Sequence, residues 1–154
     1  MSTFDLQIRY PHHSSEAEAD QFNTLDPNTV LAHFDALNLR KNQVQQLQLD
    51  GPSLTFSVTD QNRQDTFTLT LKAYEEGDEY QFKMDTNIEL VIPQKNVFGL
   101  LTVNTKHRIH HKQIGLSQAR ECLGYFVDGY IDKLKAMYMV YHNTPKATKT
   151  KAVD

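Results

Sequence analysis

Hydrophobic and polar residues alternate over residues 3–10, with Phe4, Leu6, Ile8 and Tyr10 on one face and Asp5, Gln7 and Arg9 on the other. A period of two predicts a strand with one wet face, ended by Pro11. A polar run through His12, His13, Ser14 and Ser15 follows, with Ser15 placed to cap a short acidic turn over residues 16–21. Asp26-Pro27 predicts a helix start, Asp at the N-cap and Pro at the first helical position. Val30, Leu31, Phe34 and Leu37 then recur at helical spacing, and Asn38 offers a stop.

The middle of the chain reads as sheet. Leu47 and Leu49 alternate into the turn cluster Asp50-Gly51-Pro52, and Leu54, Phe56 and Val58 alternate out of it. Phe67, Leu69, Leu71 and Ala73 oppose Thr66, Thr68 and Thr70, a half-buried strand rich in β-branched residues. Glu76-Gly77-Asp78 predicts a turn into Tyr80, Phe82 and Met84. Asp85-Thr86-Asn87 predicts a break before Ile88, Leu90 and Ile92, with Pro93 as the stop. A further strand is expected from Asn96 through Phe98 to Thr105, running on toward His111.

Residues 117–142 predict one long helix capped by Ser117. At helical spacing Cys122, Leu123, Phe126, Val127, Tyr130, Leu134, Met137 and Tyr141 share a broad face, opposite Glu121, Asp128, Asp132 and Lys135. Beyond Asn143 the tail has Pro145, three lysines and no large apolar residue but Val153, the composition of a disordered basic segment over residues 144–154. The expected fold is one α+β domain over residues 1–143. It has a curved antiparallel sheet of five to seven strands, one or two short N-terminal helices, and a long C-terminal helix packed on one sheet face. This order of elements resembles the helix-grip folds, which hold apolar ligands, and the resemblance implies such a ligand beneath the closing helix.

Composition narrows the function classes. The chain has 154 residues, 39% of them hydrophobic and 23% charged, which suits one globular domain that needs no disulfide or metal staple. A single cysteine excludes a disulfide framework within the chain. The first ten residues lack the basic end and apolar run of a signal peptide, and no window approaches the ~20 apolar residues of a membrane span, so the expected compartment is the cytoplasm. The net charge is −3, distributed as about −5 over residues 1–36, −3 over the middle third and +5 over residues 103–154.

Several clusters carry candidate chemistry. Lys106-His107-Arg108-Ile109-His110-His111-Lys112 brings three histidines into five residues, the ligand type of zinc and copper. The interleaved cations oppose a divalent ion, and an exposed strand end is the expected state of the run. No metal and no cofactor is expected. The same run carries no aromatic residue for base stacking, so no nucleic-acid partner is expected either. Cys122 sits on the apolar helix face, where burial leaves a thiol inert. Gly124 and Gly129 each cost about 1 kcal/mol in a helix interior. Close packing on the sheet would explain them; so would a pocket lined by Phe126, Tyr130, Met137 and Tyr141. The motifs of serine hydrolases, zinc proteases, phosphate-binding loops and redox dithiols are absent, and no catalytic residue is assigned.

The densest charge is the acidic tip Glu75, Glu76, Asp78 and Glu79, framed by Tyr74 and Tyr80. A tip of this kind suits a basic surface on another protein, where complementary charge steers encounter. The functional expectation is a small non-enzymatic protein-binding protein, similar to antitoxins and immunity proteins, that neutralises or regulates its partner. A helix-grip carrier of an apolar small molecule and an enzyme using the same cavity are the alternatives.

Overall fold

The computed structural model describes residues 2–74, 79–95 and 102–143. Its strands are β1 (Phe4–Arg9), β2 (Asp20–Leu25), β3 (Thr55–Asp60), β4 (Thr66–Leu71), β5 (Gln81–Lys95) and β6 (Thr102–Gly115). Its α-helices are α1 (Pro27–Asp35), α2 (Leu39–Leu49), α3 (Leu116–Val127) and α4 (Ile131–Asn143). The strands form one open, curled antiparallel sheet in the order β2-β1-β3-β4-β5-β6, so the fold is α+β as the alternation predicts.

Period-two alternation sorts the sheet into a dry and a wet face. Phe4, Leu6, Ile8, Phe56, Val58, Phe67, Leu69, Leu71, Phe82 and Met84 are buried on the helix side. On the other side a polar rung crosses all six strands, as Gln21, Gln7, Ser57, Thr68, Asp85 and His110 pair in turn. Helix α3 lays Ala119, Cys122, Leu123, Phe126 and Val127 on the dry face at i, i+3, i+4, i+7 and i+8. The Phe126 ring stands 6.1 Å from Phe4 and 5.3 Å from Phe67, filling the space beneath α3. Phe34 of α1 packs beside it, 5.4 Å from Phe56 and 5.9 Å from Phe82. Arg120 and Asp35 join α3 to α1 through a two-pronged ion pair at 2.8 and 3.1 Å. Among the described residues no helix is long and apolar enough to cross a membrane.

Four local expectations change. Leu47 and Leu49 belong to α2, not to a strand: Asn38, read as a stop, accepts from the Lys41 amide at 3.1 Å and starts the helix as its N-cap. The acidic turn expected over residues 16–21 is a single 3-10 turn at Glu16–Glu18, and Asp20–Leu25, for which no strand was expected, forms the polar edge strand β2. Its Thr24 takes φ 58°, with its amide donating to Asp5 Oδ1 at 3.2 Å. Asp85-Thr86-Asn87 is no break but a bulge within one 15-residue strand. There Thr86 donates to the Ile109 carbonyl at 2.8 Å and accepts from the Ile88 amide at 3.1 Å, so the extra residues keep their hydrogen bonds. Pro93 does not stop β5 either: it pairs with Asn104 of β6 beyond the last pair between β4 and β5, and proline is tolerated where a strand is paired on one side.

The C-terminal helical stretch is interrupted once. The Gly129 amide donates to the Phe126 carbonyl at 3.3 Å and the Tyr130 amide to the Tyr125 carbonyl at 2.8 Å, a Schellman turn that ends α3. Gly129 has φ +81°, so its glycine serves the turn rather than close packing. A Cβ on Gly124 would meet nothing nearer than Arg120 Nη1 at 3.9 Å, so close packing does not explain that residue. The basic tail over residues 144–154 and the first residues of the strand expected from Asn96 lie outside the described residues.

Candidate partner-binding surface

Helix α2 carries an unusual pattern, LRKNQVQQLQL. A helix on a domain surface ordinarily turns its apolar residues inward. Here Leu39, Asn42 and Gln43 are buried, while Val44 is 42% and Leu47 62% exposed. The inward polar residues are held in place. Gln43 Nε2 donates to the Lys72 carbonyl at 3.0 Å, and Gln46 Nε2 to Ser53 Oγ at 3.0 Å, pinning α2 across the end of β4.

That docking carries Arg40 into the frame of the acidic tip. The Arg40 guanidinium lies 4.7 Å from the Tyr74 ring centroid and 5.2 Å from that of Tyr80, a cation held between two aromatic rings. Its Nη1 donates to Gln43 Oε1 at 3.1 Å, so the same carboxamide orients Arg40 and fastens the helix. Tyr74 is exposed, Tyr80 half-buried and Glu79 exposed. Glu75, Glu76 and Asp78 lie outside the described residues. Arg40, Val44 and Leu47 fall within about 60° of one another at 100° per residue, so a single stripe runs from the Tyr–Arg–Tyr cluster along α2.

Beside this cluster, at the start of α3, are two open clefts. One, of about 400 Å³, is lined by Glu79, Tyr80, Leu116 and Gln118. The other, of about 360 Å³, lies between α1 and α3 over Phe34, Leu37, Leu39 and Leu116, with the Asp35–Arg120 pair at its rim. Asp35 holds the Arg120 guanidinium above its ordinary value, chiefly by hydrogen bonding, so the rim stays charged.

The residues weighed as a ligand pocket are dispersed in character. Phe126 is fully buried against Phe4 and Phe67, Met137 is partly buried, and Tyr130 stands 55% exposed in the turn between α3 and α4. The Tyr141 side chain lies outside what the structure describes. Cys122 is buried with Sγ 4.0 Å from Met137 Sδ; burial first, and the Glu121 charge second, push its thiol up to about 12, so it stays protonated.

The histidine run is not an exposed strand end. His111 is buried, and the rings of His107, His110 and His111 surround Tyr138 of α4 at 6.2, 5.8 and 6.1 Å. The run therefore seats α4 on β6. Among the described residues no three His, Cys, Asp or Glu side chains group as a metal site requires.

Tyr74, Glu79 and Tyr80 were legible as candidates from the sequence. Arg40, Val44 and Leu47 were not, because reading residues 47–49 as strand hides the stripe. Counting residues 39–49 as a helix capped by Asn38 exposes the inverted polarity at once. No protein-family model, curated protein or solved structure matches this chain.

Proposed function

We propose that this chain is a protein-binding module of the antitoxin or immunity type, with Tyr74, Arg40, Tyr80, Val44 and Leu47 as its contact surface. The observation that carries the reading is the inverted polarity of α2, which buries Asn42 and Gln43 and leaves Val44 and Leu47 in water beside a Tyr–Arg–Tyr cluster. Tyrosine and arginine dominate the energetic centres of protein interfaces, because each offers a large contact area together with polar groups. The partner's chemistry follows from the surroundings: an apolar patch to cover Val44 and Leu47, and basic groups to meet Glu79 and its sequence neighbours Glu75, Glu76 and Asp78. A carrier would need open space beneath α3, where Phe126 meets Phe4 and Phe67; that packing supports the surface reading over the cavity reading.

The test compares captures from the native cell by the wild-type chain and by a folded Leu47→Glu variant. A partner retained by the first and lost by the second supports the reading. Identical captures would refute this surface.

A further inference from the structure

The wet face of the sheet carries a cleft of its own. Gln7 and Arg9 of β1 stand directly across from Ser57 and Thr55 of β3, two successive rungs of one ladder on the face away from the helices. These four side chains line an open cavity of about 270 Å³. That is just under the roughly 300–1,000 Å³ of drug-sized ligand sites, and every lining residue is polar, so the space suits a small polar ligand. The strands fix the spacing: neighbours across the ladder stand about 5 Å apart and successive rungs about 7 Å. The site is built on paired strands and needs no loop to form it.

Arg9 supplies the charge. It is half-buried, no ion pair among the described residues includes it, and its Nε–H is sealed from water without an acceptor. A guanidinium carries five donors, and burying one even in part without an anion is costly. Nε is out of a ligand's reach, whereas Nη1 and Nη2 at the tip are not sealed in this way and present a fork for two oxygens. Gln7 adds a carboxamide with two N–H donors on the same strand. Ser57 Oγ lies 3.2 Å from Thr68 Oγ1; with Thr68 donating, the Ser57 hydrogen is left for a ligand. Thr55 is wall rather than donor, because its hydroxyl donates to the Ser53 carbonyl at 3.2 Å. The neighbouring carboxylates are engaged elsewhere. Asp5, two residues from Gln7 on the same face, accepts from Gln61 Nε2 at 2.7 Å and from the Thr24 amide at 3.2 Å. Asp85, farther along the Gln7–Ser57 rung, pairs with Lys83 at 3.6 Å. Asp20 stands opposite the buried Ile8 and so belongs to the other face.

We propose that this cleft binds a tetrahedral oxyanion, phosphate or sulfate, free or as a small ester, with Arg9 Nη1 and Nη2 on two oxygens and Gln7 Nε2 and Ser57 Oγ on the others. A planar carboxylate has only two oxygens, which the guanidinium fork would occupy, leaving Gln7 and Ser57 unused. The site shares no residue with the contact surface on α2. NMR titrations of the isotope-labelled full chain with phosphate, sulfate, glycerol phosphate and acetate, at matched ionic strength, test it. Phosphate should shift the Arg9 Nε–H and Gln7 carboxamide signals saturably at millimolar concentration. Acetate should bind about tenfold more weakly, the scale of two neutral hydrogen bonds lost. Tighter binding of glycerol phosphate would support an ester as the ligand, and tighter binding of phosphate or sulfate a free ion. Arg9→Lys keeps the charge but not the fork and should weaken phosphate about tenfold. Ser57→Ala should weaken it about threefold, and Arg9→Gln should abolish the response in a chain that still folds. The proposal is overturned by the absence of a saturable shift, by equal responses to acetate and phosphate, or by full affinity in a folded Arg9→Gln variant.

Discussion

Asp60 Oδ2 lies 3.0 Å from Arg63 Nη2, close enough to pair charges though off-line for a hydrogen bond, and the Asp60 side chain is wholly buried. Its other oxygen accepts from the amides of Asn62 and Arg63 at 2.8 and 3.1 Å, which shapes the turn between β3 and β4. Arg63 also reaches Asp65 at 2.9 Å and lies 5.9 Å from the Phe126 ring, so the turn is fastened to the end of α3. Asp60→Ala would leave the amides of Asn62 and Arg63 without their acceptor, at a cost of about 3 kcal/mol, while Arg63 keeps Asp65. Asp60→Asn, which retains one acceptor oxygen for the two amides, should cost less. Urea unfolding of both variants checks this, and equal losses would show that the charge rather than the turn is what matters.

The two glycines near the end of α3 should respond to alanine with opposite signs. Gly129→Ala forces a side chain into φ +81° and should destabilise by about 1 kcal/mol. Gly124→Ala replaces a flexible helix residue at a position with no contact nearer than 3.9 Å, and should stabilise by about 0.5–1 kcal/mol. Thermal melts of the pair, run side by side, decide it. Destabilisation by both would mean that the space over Gly124 is used.

His111 gives the stability curve a direction in pH. Burial, and then the charge of His110, lower its value below the ordinary 6.5. Its ring lies 6.1 Å from that of Tyr138 on α4, and Met84 stands opposite it on β5. Unfolding frees His111 to bind a proton at the ordinary value, so the unfolded chain binds more protons there. The contribution is full above 6.5 and is lost as pH falls through the lower folded value. The difference in stability between wild type and His111→Gln should therefore shrink from pH 7 to pH 5. A difference that stays constant over that range would remove His111 as the source.

Where one face of an element is dry, the sequence was readable. β1 and β4 each put three large apolar residues at period two, β3 puts Phe56 and Val58, and α3 repeats them at helical spacing, so burial and pattern agree. The misread elements lack such a face. β2 is an edge strand with no buried residue, held by pairing with β1 and by the Asp5–Thr24 contact, neither of which leaves a periodic trace. α2 buries carboxamides, so its core face looks polar and its last two leucines, Leu47 and Leu49, look like strand. The candidate surface inherits that difficulty. Tyr74 and Tyr80 announce themselves beside the acidic run, whereas Arg40 joins them only because Gln43 bonds to Lys72, a contact 29 residues distant.

Leu47 offers the cleanest separation of fold from function. Its side chain is 62% exposed, so Leu47→Glu should change stability by no more than about 0.5 kcal/mol, as surface substitutions usually do. Phe126→Ala, at the centre of the core, should cost about 3–5 kcal/mol. If the stripe on α2 is a contact surface, Leu47→Glu should nonetheless weaken the partner complex at least tenfold, since it places a charge where an apolar surface is to be covered. Arg40→Lys should weaken the complex as well, because an ammonium keeps the charge but not the flat guanidinium between Tyr74 and Tyr80. Dissociation rates should carry most of both losses, as expected for groups at the centre of an interface, while raising the salt should chiefly slow association through the acidic rim. A Leu47→Glu variant with wild-type stability and unchanged partner affinity would show that the exposed leucine is an ordinary surface residue, and the inverted polarity of α2 would then serve only to pin the helix through Gln43.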